Sequence, residues 1–376
     1  MWQRIKHMLI KEFLQNLRDP RMVRVLFLMP TIQTLIFGYA VTTDVRNVAI
    51  AVYDQDNSPE SRDLLARFLR SGYFELVQTL NSEQQIVDAM DRGKVRGVVR
   101  INQGFSDDLR AGRTAQMQVI LDGTDSNTGA VVMNYAGVIV DQYSNEVLLD
   151  RVQRTIGAVR QPGRVNIQRR AWFNANLESR NFYVPGVIAQ IITIITFMLT
   201  SMAIVREKEI GTMEQIIVTP IRPFEFILGK TAPFAIISFA IVLIITAVGV
   251  FWFGVPIRGS LFLLLGATAL YLLTTLGVGL LISTISSTQQ QAMMVTFLVN
   301  FPIMLLSGFV FPVSAMPHWI QAITVVNPLR YFIVIIRAIF LKGTGFSILW
   351  PEFLALAIIG MVTFAIAASR FRKTLA

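Results

Sequence analysis

The densest group of reactive side chains lies in residues 206–230, whose sequence is REKEIGTMEQIIVTPIRPFEFILGK. This segment mixes acids with bases and ends in Gly229-Lys230, which Thr231 follows, as in the last positions of the P-loop that binds nucleotide phosphates. The P-loop also requires a glycine five residues before Gly229, where this chain has Phe224, and a long apolar run follows here instead of a soluble βα unit. We therefore predict that the chain encodes no ATP-binding module.

Residue types for other chemistry are scarce. The chain has no cysteine, which excludes disulfides, thiolate metal sites and cysteine nucleophiles. Its two histidines, His7 and His318, fall at opposite ends of the topology derived below, so they cannot form a metal site alone. The long apolar runs carry almost no ionisable residue except Glu352, whereas ion-coupled carriers and membrane hydrolases need such groups. We predict a protein that is not an enzyme and holds no metal.

The composition is that of a membrane protein: 53% of the residues are hydrophobic and 15% are charged, against about 25% charged in soluble domains. Apolar runs of about 20 residues are long enough to cross a bilayer as helices. We predict an all-α membrane bundle with six transmembrane helices, over residues 25–43, 184–205, 231–253, 261–284, 292–311 and 347–369.

Residues 312–346 are too apolar for a water-exposed loop, yet three prolines and three basic residues interrupt them. A seventh span is one interpretation. A re-entrant helical hairpin in the outer leaflet fits better, because a seventh span would bury Arg337 in hydrocarbon and move the basic tail 370–376 outside.

The net charge of +10 comes from basic residues that lie next to the predicted spans. Residues 44–183 hold 17 basic and 17 acidic residues, so the whole excess lies beside the apolar runs. With residues 1–22 as an interfacial amphipathic helix, and with 206–230 and 370–376 on the same side, the basic clusters obey the positive-inside rule. We predict cytoplasmic N- and C-termini and contacts with membrane lipids, and we exclude nucleic acid as a partner.

We predict that residues 44–183, between the first and second spans, form an inserted α/β or α+β domain on the extracytoplasmic side. Strands are predicted at 48–53, 74–79, 95–101 and 116–121, and helices at 58–70, 82–91 and 127–153. The run Asp54-Gln-Asp56-Asn57 has the acids of a calcium loop but lacks its glycine and final glutamate, so a turn or helix cap is the better interpretation.

Several segments in this order resemble one family. Arg206-Glu207-Lys208-Glu209-x-Gly211-Thr212-x-Glu214-Gln215, then Thr219-Pro220 and Gly229-Lys230, resembles the signature of the type-2 ABC transporter permeases. The turn 286–291, the run Met316-Pro317-x-Trp319 and Asn327-Pro328-x-Arg330 are also similar to that family, and the layout agrees over the whole chain. Bacterial inner-membrane permeases of multidrug-type exporters are the most similar group.

The resemblance implies partners and roles. The segment after the second span would be a coupling helix that inserts into a separate ATPase subunit, which binds ATP and Mg, so this chain itself needs no cofactor. Two ATPases and a second permease, identical or paralogous, would complete the transporter, and a periplasmic adaptor is a further expected partner. The candidate coupling residues are Arg206, Glu207, Lys208, Glu209, Gly211, Thr212 and Glu214.

Polar residues on the spans are candidates for lining a substrate path between two permease copies. These are Gln33, Thr34, Gln190, Thr193, Thr296, Asn300 and Ser307. Ordinary hydrogen bonding between helices is the alternative explanation for them. Spans without charge suit apolar or amphipathic cargo; a lipid or glycan-lipid cargo is an alternative, and a membrane-anchored sensor is disfavoured because no cytoplasmic segment exceeds about 25 residues.

Overall fold

The computed structural model describes residues 2–18, 20–40, 47–124, 126–156, 172–174, 178–212 and 223–375. The chain forms two compact units. One consists of Met1–Thr42 with Arg170–Ala376, and the other of Thr43–Arg169.

The smaller unit is a four-stranded mixed sheet with helices on both faces. Its strands are β1 (Val48–Asp54), β2 (Phe74–Thr79), β3 (Gly97–Ile101) and β4 (Met117–Leu121), and its helices are α3 (Pro59–Arg70), α4 (Glu83–Asp91), α5 (Phe105–Ala111) and α6 (Ser126–Ile156). The sheet order is β2-β1-β3-β4. Strand β1 pairs in parallel with β2 and β3, and β4 pairs antiparallel to β3. The predicted strands and helices are thus present, and α5 is an addition.

Alternation along β1 divides the core of this unit. Val48, Ile50 and Val52 face the cluster that contains Leu64 of α3 and Phe68, together with residues of α5 and α6. Ala51 and Tyr53 face the opposite cluster, which α4 covers. Successive strand residues point to opposite faces, so a central strand with helices on both sides is apolar throughout.

The acidic run after β1 forms a turn and a helix cap, as predicted. Asp54 Oδ1 accepts hydrogen bonds from the backbone N–H groups of Asp56 (3.1 Å) and Asn57 (3.0 Å). Asp56 accepts from the N–H groups of Gly104 (2.9 Å) and Ser106 (3.1 Å) at the start of α5. Burial alone would raise the pKa of Asp56, but these bonds and one with Ser58 lower it below its ordinary value.

The larger unit is helical. Its helices are α1 (Trp2–Leu17), α2 (Pro20–Ala40), α7 (Ser179–Ile210), α8 (Pro223–Phe251), α9 (Leu261–Ile285), α10 (Gln289–Leu305), α11 (His318–Ile323), α12 (Pro328–Arg337) and α13 (Phe346–Leu375). Within the described residues, five helices are long and apolar enough to cross a membrane, at Val23–Ala40, Ser179–Ile210, Glu225–Phe251, Leu261–Ile285 and Phe346–Arg370. The number is six if a bent pair counts as one span.

The region predicted as the fifth span differs from the expectation of residues 292–311. Helix α10 begins at Gln289, where the Thr288 side chain caps it, and ends after 17 residues at Leu305. It ends there because Ser307 turns its hydroxyl back to the Met304 carbonyl (2.6 Å) and Gly308 takes a positive φ of 84°. Only glycine takes this backbone conformation readily.

The bent pair occupies the region of the predicted re-entrant hairpin. His318–Val326 and Pro328–Lys342 meet at 88°, with Asn327 between them. The Asn327 side chain caps α12 by accepting from the Leu329 N–H (3.0 Å) and donates to the Ile303 carbonyl of α10 (2.8 Å). A proline at the first position of α12 also favours a new helix start.

Helix α7 packs against five other helices of the larger unit, namely α2, α8, α9, α10 and α12. Its Thr193 hydroxyl lies 2.5 Å from the hydroxyl of Tyr271 on α9, whose ring stacks on Phe332 of α12 at 4.3 Å. Glycine allows the helices to approach closely: a Cβ at Gly279 on α9 would lie 2.7 Å from Thr200 Cβ on α7. Small residues and interhelical hydrogen bonds are the usual means of packing helices in a bilayer.

We predict that Asp56→Ala loosens the start of α5 selectively. Removing a capping carboxylate costs about 0.5–2 kcal/mol, so the Gly104 and Ser106 amides should exchange hydrogen faster while β1 amides do not change. Since the folded-state pKa of Asp56 is lowered, its contribution is present above the unfolded pKa and is lost as pH falls through the folded pKa. Hydrogen-exchange mass spectrometry of the full chain measures both effects, and unaltered exchange in α5 would contradict them.

Candidate functional site

The charged end of α7 is the first part of the candidate coupling site. The helix continues through Arg206 to Ile210 and stops at Gly211, whose φ is +81°. The hydroxyl of Thr212 donates back to the Glu207 carboxylate. Gly211 and Thr212 therefore end α7 and are not merely part of a loop.

The four charged residues before this stop lie in different environments. Lys208 donates to the backbone carbonyl of Ser283 on α9 (2.5 Å). Glu209 is exposed and accepts from the Gln289 side chain at the start of α10 (2.8 Å). Arg206 is exposed, whereas Glu207 is buried. These four residues were predicted to belong to one contact set, but they lie in different environments.

Glu207 belongs to a buried cluster of charges. The ammonium group of Lys230, on α8, lies 2.8 Å from Glu207 Oε1 and 2.7 Å from Glu12 Oε1 of α1. The side chains of Lys230, Glu207 and Glu12 are 3%, 8% and 2% exposed. Lys11, at 3.6 Å from Glu207, adds a second, exposed cation. An ammonium group between two carboxylates is the arrangement that makes such deep burial of charge tolerable.

This cluster joins three helices. Helix α1 approaches α8 closely at Gly229, where an added Cβ would lie 2.7 Å from Met8 Sδ. Glu207 stands three residues before the end of α7, and Lys230 stands near the start of α8. The cluster thereby links α7 and α8, the helices that precede and follow residues 213–222 in the sequence, to each other and to α1. That segment, with the predicted coupling residue Glu214, lies outside the described residues.

A long groove between α2, α7 and α10 is the second part of the site. Two cavities form it, of about 860 Å³ and 470 Å³. Gln33, Ile194 and Phe297 line both cavities, so they are continuous. We call them together the α2–α7–α10 groove. Its walls are mainly aliphatic, phenylalanine and methionine side chains.

Three of the predicted path residues meet in this groove. Gln33, Gln190 and Asn300 line its larger cavity, where Gln190 Nε2 donates to Asn300 Oδ1 (3.2 Å). Gln190 Oε1 has no hydrogen-bond partner among the described residues. That oxygen is buried, whereas the Gln33 side chain, which lines both cavities, makes no hydrogen bond to another described residue and is available to a ligand.

The other predicted path residues are buried between helices. Thr34 donates to the Pro30 carbonyl (2.8 Å), and Thr193 donates to that of Ala189 and contacts Tyr271. Thr296 lies 3.3 Å from the Ser201 hydroxyl, and Ser307 bonds the Met304 carbonyl. These four positions make hydrogen bonds within or between helices, as the alternative explanation of the sequence pattern expects, and their role in a substrate path stays a prediction.

Comparison with known proteins identifies the family of this chain. Residues 22–369 match the family model described as ABC-2 family transporter protein. The chain belongs to the ABC-2 transporter family. As in its relatives below, the chain is a permease, the membrane-spanning subunit of an ABC transporter, and the sequence resemblance was correct.

Relatives in Escherichia coli (strain K12) match this permease over nearly its full length. It is 36% identical over 373 residues to the probable multidrug ABC transporter permease YbhR, covering 99% of each chain. It is 35% identical to the probable multidrug ABC transporter permease YbhS, over 91% of this chain and 89% of that one. It is 31% identical to the inner membrane transport permease YhhJ, over 97% and 96%.

Sequence reasoning missed the partners of Glu207. Glu12 lies in a basic helix whose pattern indicated an interfacial location, and Lys230 was quoted only for its place in the motif. The one available signal was a lone acid within the otherwise basic residues 1–18. A single charge of opposite sign in such a helix suggests a fixed partner, but pairing across more than 200 residues is not visible in one sequence.

We predict that Lys230→Met destabilises the permease by about 3–5 kcal/mol, because it leaves two buried carboxylates close together and removes the buried cation between them, with only the exposed Lys11 remaining near Glu207. The triple variant Lys230→Met/Glu12→Gln/Glu207→Gln should recover most of that loss, since no unpaired charge remains. Lys6→Met, at an exposed position of α1, is the matched control. Thermal unfolding in detergent measures all three, and equal melting of Lys230→Met and the control would show that the cluster contributes little.

Proposed function

We propose that this permease exports apolar or amphipathic compounds, with energy from ATP hydrolysis in a separate ATPase subunit. The buried Glu207–Lys230 pair is the observation that carries the proposal. It joins α7 to α8, the two helices that precede and follow residues 213–222 in the sequence. A force on that segment would therefore move α7 and α8 together instead of being lost in a flexible loop.

In this mechanism the segment 213–222 docks on the ATPase from the cytoplasm, and Glu214 is its first candidate contact residue. Arg206 and Glu209 are exposed on the same helix end; Glu209 would extend the contact, whereas Arg206 also lines the α2–α7–α10 groove. Glu207, Gly211 and Thr212 would act indirectly by holding the segment in place. ATP and Mg would bind only to the ATPase, two copies of which would serve two permeases, identical or paralogous.

The α2–α7–α10 groove supports the choice of cargo. A site with apolar walls and a few amides is typical of binding sites for small amphipathic molecules. The groove would lie against a second permease, so that two copies enclose one path. Two relatives are named as probable multidrug ABC transporter permeases, and a multidrug function agrees with cargo of this kind. Phenylalanines on the walls keep a lipid or glycan-lipid cargo as the second candidate, because aromatic faces stack on sugar rings.

The orientation follows from charge. Basic residues flank the end of the helical unit that carries 206–230, so we place this end, both termini and the ATPase in the cytoplasm of a bacterium. The unit Thr43–Arg169 would then lie in the periplasm, where an adaptor protein would bind. A sensor role has no support from any described feature.

We predict that the ATPase contacts residue 214 directly. The chain has no cysteine, so Glu214→Cys gives a single attachment site for a photo-crosslinker. Co-expressed with a candidate ATPase, this variant should yield one crosslinked product after illumination, detected on a gel and identified by mass spectrometry. Ser347→Cys, exposed at the start of α13, is the matched control and should yield none.

Two results would distinguish an error in the coupling segment from an error in the export function itself. If the ATPase co-purifies but crosslinks to neither variant, the transporter assembly stands and the coupling segment is misplaced. If no ATPase of the same cell co-purifies with the permease, export driven by ATP is wrong.

A further inference from the structure

The wall that α7 contributes to the α2–α7–α10 groove is a continuous stripe. Ile194, Met198, Met202 and Arg206 follow at four-residue intervals and therefore share one helix face. Val187, nearer the start of α7, lines the larger cavity. From Val187 to Arg206 the helix rises by about 28 Å at 1.5 Å per residue. This is close to the hydrocarbon thickness of a bilayer, about 30 Å.

The groove is asymmetric in charge. Arg206 is the one charged residue that lines either cavity, and no carboxylate lines them within the described part of the chain. No hydrogen bond or ion pair joins the Arg206 side chain to another described residue. The acids closest in sequence are engaged elsewhere: Glu207 with Lys230 and Glu209 with Gln289. The guanidinium group therefore keeps its donors for a ligand.

We propose that the groove binds amphiphiles that carry one acidic group, with the acid at Arg206 and the apolar body along the stripe. A guanidinium group can bind a carboxylate, sulfonate or phosphate through two parallel hydrogen bonds. A lipophilic cation finds no counter-charge there and is repelled by Arg206. The groove thus selects for acidic or neutral cargo and against cationic cargo, an inference that rests on the proposed export function.

The occupant is a transported molecule and not a resident phospholipid. Gln33 lines both cavities, and its amide has no hydrogen-bond partner among the described residues, while Gln190 and Asn300 bond each other in the larger cavity. A free amide stabilises a ligand whose body carries polar substituents. A phospholipid acyl chain would leave the Gln33 amide without a hydrogen bond, which is unfavourable in an apolar site.

Binding can be measured on the purified full chain without an ATPase. Because the chain has no cysteine, Met202→Cys places a single thiol one turn from Arg206, and a bound ligand slows its reaction with a fluorescent maleimide. Three probes share one acyl chain: N-dodecanoylglycine, which is an acid, its neutral methyl ester, and the cation dodecanoylcholine. We expect the acid to protect the thiol at the lowest concentration and the cation to protect it least.

Charge variants then test the role of Arg206. In the Met202→Cys background, Arg206→Gln should raise the acid concentration needed for protection by about tenfold and leave the ester unaffected. Arg206→Lys should restore part of the preference for acid over ester. Arg24→Gln, an exposed arginine on α2 that lines neither cavity, is the matched control. Equal protection by acid and cation, or no effect of Arg206→Gln on a variant that elutes as a single folded species, would overturn the proposal.

Native mass spectrometry distinguishes the two sources of an acidic group. An anionic phospholipid that is retained at one copy per permease, and that N-dodecanoylglycine does not displace, would assign the groove to resident lipid and overturn the proposal. Acid-selective protection in a permease that no ATPase drives would refute the export function alone. Export of cationic cargo without acid-selective protection would refute the acid site alone.

Discussion

The ammonium group of Lys230, held between two buried carboxylates, is the interaction on which the charged end of the membrane unit depends. Without it, Glu12 and Glu207 would be two buried carboxylates close together, with the exposed Lys11 3.6 Å from Glu207, and α1 would lose its ion pair with α8. A hydrophobic contact could stabilise the same helices equally well. It would not fix their register, whereas a cation that must satisfy two carboxylates allows one arrangement only.

The other polar groups of this unit fall into two classes: those that are buried in the helical core and those that line the groove. Along the core of α7, the hydroxyl groups of Thr193 and Thr196 bond carbonyls four residues earlier, and that of Thr193 also reaches the neighbouring helix, while the Thr200 hydroxyl has no partner among the described residues. The bonded hydroxyl groups are satisfied within the protein, as the interior of a bilayer requires. On the groove side, Gln33 and Arg206 have no hydrogen-bond partner among the described residues. Polar groups of the core therefore stabilise packing, and these two groove residues are available for binding.

Much of the fold was predictable from local sequence. The alternation in β1 and the Ser58-Pro59 start signal gave the sheet unit its elements, and long uncharged runs marked most of the spans. Helix α5 was missed because it has seven residues and follows Gly104, whose N–H donates to Asp56, 48 positions earlier. The end of α10 was misplaced because hydrophobicity continues beyond Leu305 while the Gly308 turn stops the helix.

The candidate site was predictable only in part, for the same physical reason. The motif around Arg206 identified the segment, but its charges have different partners, and these lie on α1, α8, α9 and α10. Of seven polar residues expected in the path, Gln33, Gln190 and Asn300 line the groove. Long amide side chains reach beyond the helix surface, whereas threonine and serine hydroxyls find a carbonyl on their own helix first. Side-chain length thus separated the two groups where spacing did not.

The groove is unusually rich in sulfur. Five of the chain's 15 methionines line it, namely Met29, Met198, Met202, Met294 and Met304. Unbranched thioether side chains adapt to differently shaped ligands, which suits a wall that accepts many compounds. Oxidation to methionine sulfoxide would place polar oxygens on the same wall. The composition that lets the groove accommodate varied cargo therefore also makes it vulnerable to oxidants, and sulfoxide reduction would be needed to restore its apolar surface.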